Sequence, residues 1–126
     1  MELSLERHGD ILFVRRVSER AVTVVDRELT RSFLLAPNRV VEDWPVHDAS
    51  ELDADHVEAF LALEPELVVL GTGTRQRFPA AAFMAGFLRR GIGIEVMDNA
   101  AAARTYDLLA DEGRRVVAAF MLGAQP

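Results

Sequence analysis

The chain has 126 residues, half of them apolar, no cysteine, and a formal net charge of -6. That size suits one domain spanning 1–126, and the missing thiols exclude disulfides, thiol nucleophiles, iron–sulfur ligation and cysteine zinc sites. All 14 basic residues are arginine in an acidic chain, which argues against nucleic acid as a partner, since phosphate affinity needs clustered cations.

At the N-terminus, Met1 to Asp10 is charged and carries no apolar signal-peptide core, so a cytoplasmic location is expected. No stretch reaches the roughly 20 apolar residues that cross a bilayer, so the chain does not read as an integral membrane protein. Ile11–Val14 and the β-branched Ala21–Val25 read as strands, with a turn at Ser18–Arg20. Arg31–Leu35 reads as a third strand, broken by Pro37-Asn38, and Arg39–Trp44 as a fourth, ended by Pro45. Such closely spaced strands favour antiparallel pairing.

From Ser50 the pattern alternates between helix and strand. Asp53 is a candidate N-cap for a helix to Leu63, which Pro65 stops. Leu67–Leu70 is an apolar strand of the kind covered on both faces. A helix follows over Ala80–Arg90, then a strand at Gly93–Met97. Asp98 or Asn99 caps a third helix to Glu112, and Arg114–Leu122 forms the last strand. This rhythm predicts parallel neighbouring strands in an α/β core, with the N-terminal strands extending it or layered on it.

The chemistry concentrates in "ELVVLGTGTRQRFP", Glu66 to Pro79. Gly71 and Gly73 give two of the three glycines of a dinucleotide fingerprint, but Gln76 replaces the third, and no Lys-Ser/Thr pair follows for a phosphate loop. The loop still lies at a strand's C-terminal end, where open α/β sheets place ligands. Gly71, Thr72, Gly73, Thr74, Arg75 and Arg77 are therefore candidates for a small-anion or nucleotide site. Glu95, Asp98 and Asn99 join them if the next strand lies alongside. The bland alternative makes the glycines a tight turn that allows positive φ, Asp98 a helix cap, and the arginines solvated or paired with Glu95 or Asp98. Glu95 would need a partner such as Arg75 or Arg104 if its strand is central.

Other chemistry is thin. His8, His47 and His56 lack metal-ligand spacing. Ser4, Ser18, Ser32 and Ser50 lack a nucleophile-elbow context. No residue set supplies nucleophile, base and orienter, so catalysis is not indicated and no cofactor is called for.

The segments "ELVVLGTGTRQRFP" and "GIGIEVMDNAAAARTYDLLADEGRRVVAAFML", with "VEDWP" at Val41–Pro45, resemble a family of small uncharacterised bacterial and archaeal domains. Its relatives include a mitochondrial assembly factor for respiratory complex I. The resemblance implies a three-layer fold: a mixed central sheet, helices packed on it and an additional N-terminal β layer, with the last strand antiparallel to its neighbours. It also implies a non-catalytic binding or assembly module with a protein partner or self-association, linked to respiratory or membrane complexes. An exposed apolar patch around Trp44, Phe33 or the Ala80–Leu88 helix would serve it. Relatives often carry Asn after "RTY", where this chain has Asp107.

Overall fold

The computed structural model describes residues 11–123; the N-terminal segment read above, with Ser4 and His8, lies outside them. A five-stranded mixed sheet forms the middle layer, in the order β5-β4-β8-β6-β7. Its strands are β4 (Phe33–Ala36), β5 (Arg39–Val41), β6 (Leu67–Gly71), β7 (Gly93–Met97) and β8 (Val116–Phe120). A separate three-stranded antiparallel sheet comprises β1 (Val14–Val17), β2 (Val22–Val24) and β3 (Arg27–Leu29). The helices are α1 (Val57–Leu61), α2 (Ala81–Leu88) and α3 (Asn99–Asp111), with 3-10 turns at Ala49–Glu51 and Ala54–His56.

The central strands are apolar because both of their faces are covered. Leu34, Val68, Leu70, Val117 and Ala119 pack against one helical layer, where Phe60 of α1 meets Phe83 and Phe87 of α2. These three rings form a mutual edge-to-face set with centroids 5.1–5.6 Å apart, an arrangement that aromatic quadrupoles favour. On the opposite face, Phe33, Val69, Ala118 and Phe120 pack against α3 and the three-stranded sheet. The expected three-layer arrangement with an extra N-terminal β layer is the one observed.

Several local expectations are corrected. The first strand starts at Val14 rather than Ile11, because Leu12 donates its N–H to the Pro37 carbonyl in a loop contact. β3 had no strand signature: its sequence is Arg-Glu-Leu, and the turn before it holds Val25 at φ 57° without a glycine or asparagine to mark it. The strand expected over Arg39–Trp44 stops at Val41. The helix from Asp53 is divided: Asp53 and His56 form a reciprocal capping box around a 3-10 turn, and only Val57–Leu61 is α-helical. The last strand is antiparallel to β4 alone; it runs parallel to β6. A strand between the two halves of the chain pairs both ways, so the fully antiparallel expectation fails. Trp44 and Phe33 are buried and form no surface patch: Trp44 stands edge-on to Phe60, and Phe33 stacks on Phe120.

α3 fastens the N-terminal layer through adjacent residues. The buried Tyr106 donates its hydroxyl to the Leu12 carbonyl at 2.7 Å, and Asp107 accepts the Val14 N–H at 2.9 Å. Burial, with Asp107 beside it, pushes the Tyr106 phenol far up, so it remains a donor. Burial also pushes the Asp107 carboxyl up, against the opposing pull of the Val14 N–H. A carboxyl raised in the folded state binds its proton more tightly there, so its ionisation lowers stability as pH rises from the unfolded value through the folded one. Asp107→Asn keeps an acceptor for Val14 and removes that loss. Urea titrations are expected to show the variant at least as stable as the parent at pH 7, by less than about 1 kcal/mol for this half-exposed group. The advantage should shrink towards pH 4. A variant clearly less stable at pH 7 would contradict this reading of Asp107.

Candidate functional site

β6 and β7 pair in parallel, Gly71 opposite Met97, so the glycine bend and the start of α3 share one rim. The rim is closed by hydrogen bonds. Thr72 is buried; its N–H and hydroxyl both reach the Met97 carbonyl. The hydroxyl also donates to the Arg75 carbonyl at 2.6 Å and accepts the Arg77 N–H. Gln76 donates its side-chain amide to the Val96 carbonyl at 2.8 Å. The segment between β6 and α2 is thus held from within.

Asn99 is the centre of the rim. Its Oδ1 accepts the Gly73 N–H at 3.1 Å, its Nδ2 donates to the Met121 carbonyl at 2.9 Å, and its own N–H reaches the Gly73 carbonyl. A Cβ on Gly71 would lie 2.5 Å from Asn99 Oδ1 and 2.8 Å from the Ala119 carbonyl oxygen. Gly71 is therefore required by close approach rather than by positive φ, whereas Gly73 has φ 95°. Asp98 caps α3, accepting the Ala101 N–H at 2.8 Å.

Gly73, Thr74, Asp98 and Asn99 line, with the β1–β2 turn at Ser18–Glu19, a cleft of about 320 Å³. The remaining candidates lie elsewhere. Gly71 and Thr72 are buried beneath the rim. Arg77 stands 3.9 Å from Asp48, and the exposed Arg75 is in no ion pair among the described residues. Neither arginine meets Glu95 or Asp98. Glu95 is exposed, because β7 is an edge strand and not a central one. The cleft's lining includes the carboxylates of Glu19 and Asp98 and no arginine. His47 and His56 stay within their local turns, near Glu51 and Asp53 respectively. Ser32 is buried in reciprocal bonds with Leu122.

A second feature is apolar. α2 reads Ala-Ala-Phe-Met-Ala-Gly-Phe-Leu, with no polar side chain. Phe83, Gly86 and Phe87 face the core, and a Cβ on Gly86 would collide with Val57. The helical period puts Ala81, Ala85 and Leu88 on the opposite side, flanked by Ala82 and Met84. Leu88 is 59% exposed, and Phe78, at the approach to the helix, is 68% exposed. The exposure of Phe78 was not anticipated, although the Ala80–Leu88 helix was named as a candidate apolar patch. Among the described residues no helix is long and apolar enough to cross a membrane.

Residues 14–121 match a family described as "Protein of unknown function (DUF498/DUF598)". The chain is 32% identical over 109 residues to the "NADH dehydrogenase [ubiquinone] 1 alpha subcomplex assembly factor 3" of Homo sapiens, covering 77% of this chain and 59% of that protein. It thus spans about three-fifths of the human relative's length. It is 28% identical over 90 residues to the "13 kDa major membrane protein" of Francisella tularensis, covering 71% and 73% of the two chains. The NMR structure of a Xanthomonas campestris protein superposes with a TM-score of 0.82 at 47% identity, covering 90% of this chain and 86% of that one.

The rim geometry separates structural from dispensable residues. Asn99→Ala leaves the Gly73 N–H and the Met121 carbonyl without their partner and should cost about 2–4 kcal/mol. Gly71→Ala should cost about 1–3 kcal/mol through overpacking. Arg75→Ala should stay within about 0.5 kcal/mol. Chemical denaturation of the three variants checks the order; a destabilising Arg75→Ala would show that the loop charge is structural.

Proposed function

The chain belongs to the DUF498/DUF598 family, and on that premise we propose that it is a non-catalytic, cytoplasmic binding or assembly module whose partner-facing surface is α2. The observation that carries this reading is the outward apolar face of α2 with Phe78 and Leu88 exposed at its two ends. A helix apolar on every side is normally covered on every side. Here one side meets Phe60 and Val57, and the other meets solvent. Large apolar residues left exposed on a helix and on the segment leading into it support an interaction surface there.

The relatives suggest what such a surface does. The human relative is named as an assembly factor, which supports a protein partner for this chain, drawn from a respiratory or membrane complex. The chain is proposed to act as one domain over 1–126. Non-catalytic action is consistent with the rim, where Thr72, Asp98 and Asn99 already bond the backbone.

The alternative, a small-ligand site at the rim, has the 320 Å³ cleft in its favour. A nucleotide or small anion present at 100 times its dissociation constant would stabilise the fold by about 2.7 kcal/mol. A thermal-shift panel without such a response removes this second reading.

The interface is tested by tagging the chain at native expression levels and comparing it with Phe78→Asp and Leu88→Asp. Both positions are exposed, so the variants should keep stability within about 0.5 kcal/mol. Loss of the same stoichiometric partner from both captures is the expected result. Unchanged recovery in the two variants would overturn the proposed surface.

A further inference from the structure

We draw no further inference here: the strongest candidate, the outward apolar face of α2 with Leu88 exposed at its end, belongs to the surface already proposed, and nothing in the structure shows what covers it.

Discussion

One carboxamide holds three segments of the chain together. Asn99 bonds the bend after β6 and the backbone beyond β8, while its own residue begins α3 directly after β7. The three parallel strands β7, β6 and β8 therefore end in a fixed relation. This clasp works only if Gly71 has no side chain, since any Cβ there would occupy the space of Oδ1. A buried amide with both ends bonded stabilises modestly, but a half-bonded one costs far more. That asymmetry makes the rim of this sheet intolerant of change. The same residues that suggest a ligand site are the ones the fold needs for closure.

The two faces of the sheet are finished differently. One is sealed by α3 and then by a second sheet, with Tyr106 and Asp107 fastening that outer layer to the helix. The other receives α1, α2 and the segment 44–52, whose Trp44, Val46, Ala49 and Leu52 join Phe60, Phe83 and Phe87 in one cluster. α2 uses half its circumference for this core. Its other half keeps the same apolar character, and among the described residues Ala81, Ala82 and Leu88 stay exposed there. The exposed side of α3 is mixed, with Arg104 beside Leu108, which is as exposed as Leu88, and that of α1 carries Glu58.

The α/β half of the chain was readable because its signals are local. Apolar runs at Leu67–Leu70, Asp53 and Asp98 as caps, and glycines after the helices all act within a few residues. The N-terminal half depends on distant partners. β3 exists because Glu28 and its neighbours pair with β2 across a left-handed Val25, and Asp26 is the turn's one local signal. Glu95 was misplaced for a related reason: a strand's own residues do not say whether it will be central or at an edge. Trp44 and Phe33 could not be told from surface aromatics until the layers that bury them were known. At the rim, the expected adjacency of Gly73 and Asp98 was legible from strand–helix–strand spacing. The role of Asn99 was not, because its partner Met121 lies 22 positions away.

The hook of Gln76 onto Val96 bears on how this protein can build larger structures. β7 is the outermost strand on its side, and an outward main-chain carbonyl of such a strand is an invitation to strangers. Gln76 occupies one of those carbonyls, and the negative Glu95 stands next to it. A foreign strand seeking to prolong the sheet would have to displace the amide and accept the charge. Growth by adding strand to strand along the sheet edge is thereby discouraged at that margin, leaving side-on helical contact as the less obstructed route to a defined complex.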